Sequence, residues 1–228
     1  YADVTGSQHI TANNAKYLKY FWEVDSRKIG PNRNWVLYSK GGEYKRYFGN
    51  WDLVVDWSED AKEFYTTNKT SNMLKEKYWY KEGICYSANA GESFNGRYMP
   101  SGCIFDKKGP AVFVEDDMIN YTLGYINSKF CNYIMNLLNP TVSYQATDLR
   151  RLPWKEPSKI IKNIVEELVE ENILLAKEIS SYDETEYFFE LPSLMKYKRD
   201  SIIDSFTEYY FNTMYKEAQI LVNDGKID

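Results

Sequence analysis

The spacing of apolar residues changes near Asp117, and that change restricts the fold more than any other feature of the chain. Before it, short β-prone runs (Trp35–Tyr38, Leu53–Asp56, Tyr78–Cys85, Arg97–Met99, Cys103–Phe105 and Ala111–Val114) are separated by Gly, Asn, Asp or Pro. After it, Ile119, Leu123, Ile126, Phe130, Tyr133, Ile134, Leu137 and Leu138 recur at helical spacing, so one amphipathic helix is predicted over 118–138, stopped by Pro140. A second helix is predicted over 159–179, with Ile160, Ile161, Ile164, Leu168, Ile173 and Leu174 on its apolar side and Glu166, Glu167, Glu170 and Glu171 on its solvated side. A third is predicted over 200–222, beyond Leu191-Pro192. Strands first and helices afterwards, rather than in alternation, imply an α+β fold. The expectation is a twisted mixed or antiparallel sheet followed by a helical C-terminal segment. The chain divides at 153: a first domain, 1–153, combines a β-rich part (1–117) with the packing helix (118–138), and 154–228 form a helical extension. Residues 16–24 suit a strand or a short helix, and 58–76 an exposed helix or ordered loop.

Charge is distributed unevenly. The chain carries −5 overall, with +1 over residues 1–150 and −6 over 151–228, whereas 16–50 alone carry +5. A local cationic stretch is what a phosphate-contacting surface needs, and a whole-chain value hides it. The 21 Tyr and 6 Trp suit a surface that stacks on something flat, although AT-rich codon usage produces the same bias. Cys85, Cys103 and Cys131 are far apart and His9 is the one histidine, so neither a Cys/His zinc site nor a histidine-based nucleophile is supported. Free thiols fit a reducing cytoplasm. No P-loop, GxGxxG or HExxH is present, and Asp116-Asp117 and Glu59-Asp60 read as solvated turn charges. No apolar run approaches the ~18 residues of a membrane span. The chain begins with Tyr rather than Met and is taken as part of something longer.

Four stretches could carry contacts. Thr11 and Asn14 offer short polar side chains for phosphates or base edges, or else an N-cap for the next element. In the second, Lys40, Gly41, Gly42, Lys45 and Arg46 alternate with Tyr44, Tyr47 and Phe48. The glycines permit close approach to a partner, Arg can fork onto guanine and Lys can neutralise phosphate, although an ordinary hairpin turn would look the same. Ser87, Asn89, Ser93 and Arg97 suit a loop that reads base edges, or a polar connection between strands. The fourth runs from Gly124-Tyr125-Ile126-Asn127-Ser128-Lys129 through Leu138-Asn139-Pro140-Thr141 to Asp148-Leu149-Arg150-Arg151-Leu152-Pro153; its helix is structural, and the Ser143–Gln145 turn could touch DNA or another domain.

In their order and spacing these stretches resemble the C-terminal specificity region of large adenine-specific DNA methyltransferases, the PglX-like enzymes of BREX phage defence and related single-chain type II restriction–modification enzymes. The likeness covers most of the chain. It opens on Gly6-x-x-x-x-Thr11-x-x-Asn14 and the Lys-Gly-Gly-Glu segment closing on Gly49-Asn50, continues through Val54-Val55-x-Trp57, Lys81-Glu82-Gly83-Ile84, Ser93-Phe94, Arg97-Tyr98 and Gly102-x-Ile104-Phe105-Asp106, and ends on Asp148-Leu149-Arg150-x-Leu152-Pro153. The acidic Tyr182–Phe189 stretch with Leu191-Pro192 matches the segment that follows such domains, and the tail after 180 is shorter than usual.

The resemblance implies a target-recognition domain that binds double-stranded DNA for an adenine-N6 methyltransferase. The chain lacks that family's Asn-Pro-Pro-Tyr loop and its Gly-rich S-adenosylmethionine loop. Asn139-Pro140-Thr141-Val142 is no substitute, because it lacks the aromatic that stacks on the flipped base. The chain itself is therefore expected to be non-catalytic and without a cofactor, with S-adenosylmethionine bound by an upstream methyltransferase domain of the same polypeptide. The acidic helical end supports an alternative, a protein-interaction module that docks to other defence-system proteins.

Overall fold

A computed structural model of the chain describes residues 3–4, 8–89, 93–141 and 143–228. Gly6 of the opening motif and Val142 of Asn139-Pro140-Thr141-Val142 lie outside the described residues. In chain order the elements are β1 (Asp3–Val4), α1 (Asn14–Tyr17), β2 (Leu18–Tyr20), β3 (Trp35–Ser39), β4 (Leu53–Asp56), α2 (Glu59–Thr67), β5 (Gly83–Tyr86), β6 (Gly96–Met99), β7 (Cys103–Phe105), β8 (Ala111–Phe113), α3 (Ile119–Asn127), α4 (Lys129–Leu138), α5 (Ala146–Leu149), α6 (Lys159–Ser180), α7 (Ser193–Lys196) and α8 (Ile202–Ile227). The fold is α+β, with strands before Asp117 and long helices after it.

There are two sheets where one was expected. The first, ordered β1-β8-β5-β6, is antiparallel throughout. The second, ordered β2-β4-β3-β7, is antiparallel except for β3 and β7, which run parallel with Leu37 opposite Cys103 and Ser39 opposite Phe105. Because β2 and β3 both oppose β4, they are parallel to each other, and residues 21–34 must cross from one side of β4 to the other. Residues 78–82 do not extend the β5 strand as expected: Glu76–Tyr78 is a 3-10 turn and Tyr80 has positive φ.

Much of the aromatic surplus lies in the core rather than on a stacking surface. Tyr38, Tyr47, Trp51, Trp57, Tyr65, Tyr86 and Phe105 are all buried. His9 is fully enclosed, with the rings of Tyr38, Trp57 and Tyr65 meeting it edge-on at centroid distances of 5.8, 5.2 and 4.5 Å.

The helix expected over 118–138 is broken at Ser128. That residue ends α3 with extended backbone and starts α4 with a side-chain cap, its Oγ accepting from Cys131 N at 3.1 Å. The break lets α3 bury Ile119, Leu123 and Ile126 while α4 leaves Phe130, Tyr133 and Leu137 exposed. Burial of Leu123 alone stabilises by about 2 kcal/mol. Two glycines bring α3 close to its neighbours. A Cβ on Gly96 of β6 would lie 2.7 Å from Ile126 Cγ2, and one on Gly124 would lie 2.8 Å from Val165 Cγ1 of α6. The buried stripe of α6 is therefore Val165, Val169, Ile173 and Ala176, whereas Ile160, Ile161, Ile164 and Leu174, expected on the apolar side, face solvent. Helices α6 and α8 run antiparallel, with Asn223 Nδ2 donating to Glu171 Oε2 and Asn172 Oδ1 at 3.0 Å each and Lys216 Nζ 3.4 Å from Glu178 Oε1. The outer face of α8 exposes Ile203, Phe206, Tyr210, Phe211, Met214 and Leu221.

Candidate nucleic-acid interface

The residues expected to contact DNA fall into three groups by position. The cations of the glycine-rich segment point inward, at acidic partners. Arg46 Nη1 lies 2.5 Å from Asp224 Oδ2 of α8, and Arg46 Nη2 donates to Asn127 O at the end of α3 at 2.6 Å. Tyr47 Oη donates to the other oxygen of Asp224 at 2.5 Å, and Asn172 Nδ2 reaches the same atom at 3.4 Å. Burial raises the Asp224 carboxyl from its ordinary value, against the hydrogen bond from Tyr47 and the charge of Arg46, which lower it. Lys45 Nζ lies 2.5 Å from Glu186 Oε1, and the buried Glu186 carboxylate also accepts from Asn50 N and Trp51 N, each at 2.8 Å. Lys40 Nζ is 3.4 Å from Asp106 Oδ2. The cationic segment and the acidic helical end are thus joined through their opposite charges.

The glycines in that segment make room for the protein's own backbone. Gly41 has φ +90°, and a Cβ there would stand 2.7 Å from Lys108 O. Gly42 has φ +116° and is closely approached by the Asn50 side chain, which donates to Glu43 O at 2.9 Å.

The second group shapes loops from inside. Arg97, on β6, is only 1% exposed; its Nη1 donates to Ser87 Oγ at 3.0 Å and Asn95 Oδ1 at 3.2 Å, and Ser87 is buried with it. No carboxylate among the described residues lies within 4 Å of this guanidinium. Thr11 is buried and donates to Asn14 Oδ1 at 2.6 Å. The N-cap of α1 is Asn13, whose side chain accepts from Lys16 N at 3.1 Å.

The third group is at the surface. Asn14 and Asn89 are exposed and Ser93 is half-buried; Asn89 forms an isolated antiparallel bridge with Ser143.

Sequence reasoning did not single out Tyr20 and Trp22. Their rings stack with centroids 4.5 Å apart and planes 4° from parallel, yet they are 45% and 50% exposed. The local structure is tightly held. Glu23 Oε2 accepts from Tyr20 N at 2.8 Å, Phe21 N donates to Asp52 O at 3.0 Å, and the Phe21 ring meets Tyr187 edge-on. The available signal was the aromatic run Tyr20-Phe21-Trp22 inside the +5 stretch, which alternates between sheet and solvent only if the strand stops at Tyr20.

Among the described residues no group of His, Cys, Asp and Glu could hold a metal ion, and no helix is long and apolar enough to cross a membrane.

The chain matches no protein-family profile. It is 32% identical over 199 residues to the adenine-specific methyltransferase BrxX of Escherichia coli O9:H4 (strain HS), a stretch that covers 86% of this chain and 16% of that protein. It is 28% identical over 176 residues to the adenine-specific methyltransferase PglX of Lacticaseibacillus casei (strain Zhang), covering 70% of this chain and 15% of that one. The chain is homologous to these BREX methyltransferases over most of its length. It spans about one-sixth of the length of either relative.

Proposed function

We propose that this chain is the DNA-recognition part of an adenine-N6 methyltransferase of a phage-defence system and is not catalytic by itself. One observation carries the reading: 199 residues align with a small fraction of an adenine-specific methyltransferase, while the Asn-Pro-Pro-Tyr loop needed to hold a flipped adenine is missing from the chain. Methyl transfer from S-adenosylmethionine then belongs to an upstream domain of the parent polypeptide, and this part supplies readout of the bases around the adenine. Asn14, Asn89, Ser93 and the exposed backbone at Gly42 are the assigned residues that can meet DNA as they stand, while Thr11, Ser87 and Arg97 hold the loops that present them. Lys40, Lys45, Arg46 and Gly41 act in this reading by fixing the shape of the face rather than by touching phosphate.

The test is fluorescence anisotropy of the purified chain with a labelled duplex across a salt series. Binding that weakens linearly in log–log form, with a slope of about −0.9 per phosphate contacted, is expected. A folded chain that binds no duplex at low salt overturns the reading.

A second reading, docking to another protein of the defence system, is favoured by the apolar outer face of α8. Phe211→Lys with Leu221→Lys in the full-length parent should then leave methylation intact and abolish phage defence; retained defence excludes it.

A further inference from the structure

We propose that the crossover between β2 and β3 is a DNA contact, in which the stacked Tyr20–Trp22 pair packs on an exposed base or sugar face and Lys28 and Arg33 neutralise flanking phosphates. The inference rests on the DNA-recognition reading above and names a surface for it that was not among the residues expected from the sequence.

Three observations converge on this segment. Two large aromatic rings lie stacked on each other and half in water, leaving apolar surface that a partner could bury. They are held in place before any partner arrives, by the Glu23 cap, the Phe21–Asp52 hydrogen bond and the Phe21–Tyr187 contact, so binding would not have to order them. The same crossover carries exposed cations. Lys28 and Arg33 are exposed with no carboxylate within 4 Å among the described residues, whereas Lys40, Lys45 and Arg46 are paired internally. Arg27 is not counted, because Asp25 holds it at 2.7 Å.

The charge decides between classes of partner. Residues 16–33 carry five Lys/Arg against Glu23 and Asp25 in a chain of net charge −5, so this segment is cationic within an acidic protein. Exposed aromatic faces and exposed cations on one crossover match a nucleic acid, where every base offers a π-face and every nucleotide a phosphate. Insertion of such rings at a groove is a known way for a protein to unstack a base step.

The experiment compares wild-type chain with Trp22→Ala, Tyr20→Ala and Lys28→Ala/Arg33→Ala for binding to a labelled duplex over a salt series. Thermal melting verifies folding, and Trp22→Phe serves as a conservative variant that keeps an aromatic face. Trp22→Ala should weaken binding about ten- to hundredfold without changing the salt slope, and Trp22→Phe should weaken it far less. The double cation variant should reduce the slope by about 1.8. If the wild type binds duplex and all variants bind equally, this surface is wrong while the DNA-recognition reading stands. If the wild type binds no duplex, that reading fails first. If Trp22→Ala leaves DNA affinity intact but changes self-association in sedimentation, the aromatic pair is a protein contact and the inference is overturned.

Discussion

Arg46 Nη1 and Asp224 Oδ2 stand 2.5 Å apart although 178 positions separate them in the chain. This pair, with the Asn127 carbonyl on the second guanidinium nitrogen and the Tyr47 hydroxyl on the second carboxylate oxygen, ties the glycine-rich segment to α3 and α8 at one point. Removing one member leaves the other largely buried without its counter-charge, which costs about 3 kcal/mol. Arg46→Met and Asp224→Asn should each lower the urea midpoint by that order, and the double variant should lose clearly less than the sum of the two. Additive losses in this cycle would mean that the pair is not coupled.

Glu186 makes a second connection of the same kind. Its carboxylate accepts from Lys45 and from the amides of Asn50 and Trp51, so Glu186→Ala leaves a half-buried and a buried amide unsatisfied. A loss of about 2–4 kcal/mol is expected. Hydrogen exchange should locate it: the amides of Asn50 and Trp51 should lose protection while the β5–β6 amides keep theirs.

Gly41 is expected to be intolerant of any side chain. With φ at +90° and Lys108 O 2.7 Å from a Cβ, Gly41→Ala should destabilise by about 2 kcal/mol or more. Gly225, where a Cβ meets nothing within 4 Å, should accept alanine without loss and serves as the control in the same melting series.

Stability should fall as the solution is acidified, because of His9. Burial among aromatic rings holds its pKa down at about 3, against an ordinary value of 6.5. Above pH 6.5 both folded and unfolded states are neutral at this residue and it adds no pH dependence. Below 6.5 the unfolded state takes up a proton that the folded state refuses, so stability declines from there to about pH 3, by on the order of 5 kcal/mol in total. Denaturant titrations at pH 7 and pH 5 should show the onset, and His9→Phe should flatten the slope whatever it does to the stability at pH 7. An unchanged slope in that variant would assign the effect elsewhere.

The fold class was legible because it depends on period, and period is local. β4 and β7 lie within the limits read from alternation and turn residues, and α6 and α8 begin within two residues of the expected starts. The Ser128 break was less visible, since Ser128 extends no apolar pattern and interrupts none. The apolar side of α6 was misassigned because it carries two stripes of aliphatic residues, and the choice between them is made by the gap at Gly124, which lies on another helix. The glycines at 41 and 42 were read as permitting close approach to a partner, and the atoms that approach them are Lys108 O and the Asn50 side chain; sequence alone does not distinguish these from DNA. The same limit applies to Lys45 and Arg46. The −6 of residues 151–228 was the complementary signal, and it became interpretable once Glu186 and Asp224 could be placed opposite the cations.

The Trp51–Glu186 hydrogen bond also bears on how the molecule is made. The two residues are 135 positions apart, so a ribosome working at about 5–20 residues per second delivers the carboxylate roughly 7–27 s after the Trp51 amide has been synthesised. Throughout that interval the nascent polypeptide carries Tyr47, Phe48 and Trp51 without Glu186, and α8 is made later still. Holdase chaperones bind such segments, and translation speed across α6 should influence the yield of folded protein.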